Sequence, residues 1–75
     1  MEYRDRIDIK PDVLGGKPVI KGARVPVEVV VGGLAGGMSF EDIRREYLIE
    51  DADIRAALAY AAETLAGEHL IALPC

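Results

Sequence analysis

Few residues in this chain are of a type that supports catalysis. There is one histidine, His69, and one cysteine, Cys75. A nucleophile–base pair needs a hydroxyl or thiol beside a base that a third group orients. A structural zinc site needs four Cys or His ligands. Neither set can be assembled from these residues. Gly15-Gly16-Lys17 suggests a phosphate loop. Such a loop requires a glycine five residues before its second glycine, and a Ser or Thr directly after the lysine to meet magnesium. Pro18 follows Lys17, which excludes that reading. The thirteen carboxylates read as solubilising surface charge. The expectation is a protein that is not an enzyme, with no catalytic residues, no metal and no cofactor.

The remaining chemistry is charge. Residues 1–25 hold six cations against four acids, a balance of +2, and residues 26–75 hold three against nine, a balance of −6. An acidic chain is a poor general binder of nucleic acid, because affinity there comes from neutralising phosphates. Any nucleic-acid contact is therefore expected at Lys17, Lys21 and Arg24, or at Arg44 and Arg45.

These residues must be positioned by short elements. Arg6–Lys10 alternates, with Ile7 and Ile9 on one side, as a strand with one buried face does. Pro18–Ile20 is a second extended run, so residues 7–22 are predicted to form a small ribbon, paired within the chain or between chains. The first helix is predicted to start at Pro26, because proline suits the first helical position, and to stop at Gly36-Gly37. Val27, Val30, Val31 and Leu34 share one face. Gly32-Gly33 inside it suggests a close approach by another element. The second helix is predicted over Phe40–Tyr47, with Ser39 and Asp42 as a capping box and Met38 and Ile43 as a hydrophobic staple. The third is predicted over Asp51–Ala66, with a core stripe of Ile54, Ala57, Leu58, Ala61 and Leu65, ending at Gly67. The tail His69–Leu73 is apolar and is predicted as a last short strand.

The fold class is thus mainly α: an N-terminal β-ribbon (1–25), a three-helix unit (26–67) and an apolar tail (68–75) in one domain. Seventy-five residues support only a marginal core. With a disulfide and a metal ruled out as staples, a partner surface is the remaining source of stability, most simply a second copy of the chain. The apolar run Val25–Met38 is too short and too interrupted to cross a bilayer. A single unpaired cysteine fits a reducing compartment, so the expected location is the cytoplasm, away from any membrane.

Three blocks carry a family resemblance. Gly16-Lys17-Pro18-Val19-Ile20-Lys21-Gly22-Ala23-Arg24-Val25-Pro26-Val27, then Leu34–Ile43, then Asp53–Ala62 resemble, in order and spacing, the domain-of-unknown-function 433 family. The resemblance covers roughly residues 7–73. It implies a homeodomain-like helix-turn-helix unit and an antitoxin of the VapB type. Such a protein neutralises a PIN-like nuclease toxin and can bind operator DNA to repress its own operon. The family brings no catalytic residues. The chain departs from it at Ala23 and Glu50, where threonine is usual, and Asp51 is expected to cap the third helix in place of Glu50.

The expectation is an antitoxin-like binding protein, working as a homodimer, with Leu70, Ile71 and Leu73 as toxin-binding residues. The alternatives are a stand-alone DNA-binding regulator and a dimeric interaction module.

Overall fold

The structure, a computed structural model, describes residues 3–72, with side chains as far as Gly67. A 3-10 turn, Tyr3–Arg6, leads into strand β1, Ile7–Asp8. A second turn, Leu14–Gly16, leads to β2, Val19–Ile20, followed by helices α1 (Val27–Ala35), α2 (Phe40–Tyr47) and α3 (Asp51–Ala72).

The ribbon pairs within the chain: β1 and β2 are antiparallel, with Ile7 opposite Ile20 and Asp8 opposite Val19. It is shorter than the alternation suggested. Ile9 falls outside the pairing and is more than half exposed. Two residues per strand would not survive alone. Here Val19 and Ile20 are buried under the helices, and Val27 N–H donates to Pro18 O at 3.0 Å, tying the ribbon to the first turn of α1. Pro26 keeps extended backbone, bridges Val19 and caps α1 from outside, so the helix starts one residue later than predicted.

Helix α2 has the bounds read from the sequence. Asp42 N–H donates to Ser39 Oγ and Ser39 N–H donates to Asp42 Oδ2, each at 3.0 Å, which completes the capping box. The helix ends at Leu48 in the left-handed conformation (φ 56°, ψ 47°). Three residues, Leu48–Glu50, then turn the chain into α3, giving the helix-turn-helix order.

Between α1 and α2 the close approach falls on one of the two glycines. A Cβ placed on Gly33 would stand 2.8 Å from Ile43 Cδ1 and 3.1 Å from Met38 Sδ, whereas one on Gly32 would meet nothing within 4 Å. Ile20, Val27, Val30, Ile43, Ile49, Ile54 and Ala57 form the core, packed around by Ile7, Val25, Leu34, Phe40, Tyr47 and Tyr60. Each fully buried isoleucine contributes about 1.5–3 kcal/mol.

Helix α3 departs most from the sequence reading. It does not stop at Gly67, and its backbone is helical through Ala72, so residues His69–Ala72 of the expected C-terminal strand are helix, and Leu73 lies outside the described residues. A helical glycine costs only about 1 kcal/mol relative to alanine, and Gly67 is not held in the left-handed conformation that ends helices. The core stripe is also shifted: Ile54, Ala56 and Ala57 are buried, while Leu58 and Leu65 are 37% and 54% exposed. Asp51 does not cap the helix. The backbone N–H of Glu50 donates to Asp53 Oδ2 at 2.9 Å, the return half of a capping box whose forward half would need a hydroxyl at position 50.

Candidate functional site

Four of the five cations singled out in the sequence lie against acids of the same chain. Lys17 Nζ is 3.3 Å from Glu28, Lys21 Nζ is 4.0 Å from Asp8, and Arg45 is 3.2 Å from Asp42. Arg44 donates to Asp51. Arg24 stands apart. Among the described residues it has no ion pair, it is exposed, and it sits at φ 57°. Its N–H donates to Ile20 O, and Ile20 N–H donates to Val25 O, both at 2.8 Å, so the turn that carries it is fixed on both sides. Arg24 shares a polar pocket of about 370 Å³ with Asp8, Lys10 and Asp12. Exposed pairs are worth roughly 0–1 kcal/mol and open readily, but each paired cation must give up an acid before it meets a phosphate.

The strongest polar contacts lie elsewhere. Arg6 donates to Asp53 Oδ1 at 2.9 Å and to Glu50 Oε1 at 3.1 Å. The bond to Asp53, then that to Glu50, raises the Arg6 guanidinium above its ordinary value. Tyr3 OH donates to Glu63, and the Tyr3 and Tyr60 rings meet edge to face at 6.5 Å. The N-terminal turn is thereby strapped along α3. Separations of 47 and 60 residues leave no trace in local spacing, so sequence reading did not find this strap. In the capping box, the Ser39 backbone N–H, then the Ser39 hydroxyl, hold the Asp42 carboxyl below its ordinary value.

Among the described residues the exposed large apolar side chains are Ile9, Leu14 and Leu48 outside α3, and Leu58 and Leu65 on it. From Ala62 to Gly67 every residue is exposed, so the helix leaves the bundle as an arm. At the base of the arm an open groove of about 420 Å³ runs between α1 and α3, lined almost wholly by carbon. Pro18, Val27, Val31, Tyr60, Ala61 and Leu65 contribute to its walls, and Gly32 leaves bare backbone in one of them. Of the expected toxin-binding residues, Leu70 and Ile71 belong to the helical backbone of the arm, with side chains outside the described ones. Leu73 lies outside the described residues altogether. Among the described residues there is no group of three or more His, Cys, Asp or Glu able to hold a metal. None of their helices is long and apolar enough to cross a membrane.

The sequence profile of the family described as "Protein of unknown function (DUF433)" matches residues 7–61. The chain belongs to the DUF433 family. Among DUF433 relatives, "Uncharacterized protein y4eO" of Sinorhizobium fredii (strain NBRC 101917 / NGR234) is 40% identical over 70 residues, which cover 91% of this chain and 32% of the relative. The chain thus spans about a third of that curated relative. The fold is similar to the crystal structure of a DUF433 member protein from Anabaena variabilis ATCC 29413, with a TM-score of 0.77 and 26% identity. That match covers 85% of this chain and 64% of the solved one.

Proposed function

We propose that this DUF433 chain is an antitoxin-like binding module of the cytoplasm that holds and neutralises a PIN-like nuclease toxin through the α3 arm. The observation that carries this reading is the arm itself. A 22-residue helix leaves a small bundle after its first half and bears exposed apolar residues. The projecting half, 62–72, is shorter than the roughly 12–15 residues below which an isolated helix is marginal in water, so a partner that packs against it stabilises both the arm and the complex. Leu70, Ile71 and Leu73 are the residues assigned to the toxin. The test is co-expression with the product of the adjacent gene. A stable complex and rescue of growth are expected, and neither appearing would overturn the proposal.

A second reading, DNA binding with repression of the operon, rests on Arg24. It is the one cation of the five without an acid partner among the described residues, and a fixed turn presents it to solvent. Operator binding that weakens with salt and is lost in Arg24→Ala supports it. Binding unchanged in Arg24→Ala removes it.

A further inference from the structure

The turn Tyr3–Arg6 is four residues of 3-10 helix, too short to hold its shape alone in water. One stripe of α3 holds it. Asp53, Ala56, Tyr60 and Glu63 follow at spacings of three, four and three, so they share a face. Arg6 takes the first end of that stripe, at Asp53. Tyr3 and Arg4 take the other. The Tyr3 ring is 8% exposed and stands edge to face on Tyr60, and its hydroxyl donates to Glu63 Oε1. The Arg4 guanidinium lies 5.1 Å from the centre of the Tyr3 ring and donates from Nη2 to Glu63 Oε1 and Oε2, at 3.3 and 3.4 Å. Glu63 thus accepts from two successive residues of the turn.

The place of Glu63 on α3 gives this contact a consequence. The last partly buried residues of the helix are Ala59, Tyr60 and Ala61, and every residue from Ala62 to Gly67 is exposed. Among the described residues, Glu63 is the last on α3 whose side chain bonds to another element. A helix extended from a packed segment gains little per added residue, because the propagation constant is only about 1–1.6 even for good helix formers. Gly67 then works against the extension. How far the arm stays helical is therefore set by where its packed root ends. Without Tyr3 and Arg4 the root ends at Ala61. With them it ends at Glu63, whose carbonyl is in helical register to accept from the N–H of Gly67.

From these observations we infer that the turn Tyr3–Arg6 is a clip on the root of the arm. Tyr3 and Arg4, closed on Glu63, hold the first turn of the arm helical, and when the clip opens the helix frays back to the bundle. The coupling is reciprocal by linkage: whatever fixes the arm as a helix tightens the clip by the same factor. The device belongs to the chain alone, and it does not depend on what the arm binds.

Amide hydrogen exchange, read residue by residue by NMR on the 75-residue protein, provides the test. Two substitutions open the clip and leave the packing in place. Tyr3→Phe removes the hydroxyl and keeps the ring. Glu63→Met removes the acceptor at an exposed position and has nearly the same helix propensity. Each is expected to lower the protection of amides 64–67 about fivefold, the size of one lost hydrogen bond. The amides of Ile54 and Ala57, in the core, are expected to keep theirs. In a Glu63→Met chain, Tyr3→Phe is expected to add nothing, because both substitutions act on one contact. Arm amides indifferent to both substitutions overturn the inference. So does an equal loss at Ile54 and Ala57, which makes the turn a brace for the whole fold, or full additivity of the two substitutions. None of these outcomes touches the toxin-binding proposal.

Discussion

Asp53 uses both carboxylate oxygens: Oδ1 accepts from the Arg6 guanidinium at 2.9 Å, and Oδ2 accepts from the backbone N–H of Glu50 at 2.9 Å. One side chain thus starts α3 and fastens the N-terminal segment to it. Arg6 O also accepts from Lys21 N–H at 2.8 Å, which links the same point to the ribbon. Asp53→Ala is expected to destabilise the fold by about 1 kcal/mol through the lost N-terminal hydrogen bond. Arg6→Ala is expected to cost less, because the cap survives. Urea unfolding of the two variants checks the order.

The glycine pair in α1 should split. Gly33→Ala pushes a methyl into Ile43 and Met38. Overpacking costs about 1–3 kcal/mol against about 1 kcal/mol gained in helix propensity, so a net loss of about 1 kcal/mol is expected. Gly32→Ala meets open space and is expected to gain up to about 1 kcal/mol. Thermal melts at low protein concentration, where self-association does not contribute, compare the two.

Leu48 is 86% exposed and left-handed at the end of α2. That conformation costs a side-chain-bearing residue about 1–2 kcal/mol, which glycine does not incur. Leu48→Gly is expected to stabilise the protein by about 0.5–1 kcal/mol, after allowing for glycine's freer unfolded chain. This corresponds to roughly 2–8 °C in Tm.

The capping box sets a pH dependence. Asp42 is held below its ordinary value of 3.8, first by the Ser39 N–H. A depressed folded value means that its contribution is complete above pH 3.8 and fades as pH falls through the lowered folded value. Asp42→Asn, which cannot titrate, is expected to be less stable than the parent at pH 7. The deficit should shrink as the pH drops below 3.8. Unfolding curves at pH 7 and pH 3 measure this, and a constant deficit contradicts it.

How far the sequence spoke depended on the range of the interaction. The Ser39–Asp42 box and the Phe40–Tyr47 helix were legible because every group involved lies within one or two turns. The core stripe of α3 was read too wide. Periodicity marks which residues share a face, but not how far the neighbouring elements cover it: Leu58 and Leu65 are 37% and 54% exposed, while Ala56 is buried. The tail was misread as a strand because Gly67 resembles a stop signal, and only the absence of a left-handed turn shows that the helix continues. For the candidate site, the five cations were legible as residue types. The neutralisation of four of them by Glu28, Asp8, Asp51 and Asp42 was not, apart from the i, i+3 pair Asp42–Arg45, because the other partners are 7 to 13 residues away in sequence. The strap of Tyr3 and Arg6 onto α3 had no local signal at all.

The most direct measurement is RNA cleavage by the PIN-like nuclease proposed as partner, titrated with the purified chain. Activity is expected to fall to background near equimolar chain, and a variant carrying Leu70→Glu and Ile71→Glu, folded by far-UV spectrum, is expected to inhibit far less. Cleavage that continues unchanged in excess chain, or inhibition that the double substitution leaves intact, contradicts the assignment of the α3 arm as the surface that neutralises a toxin.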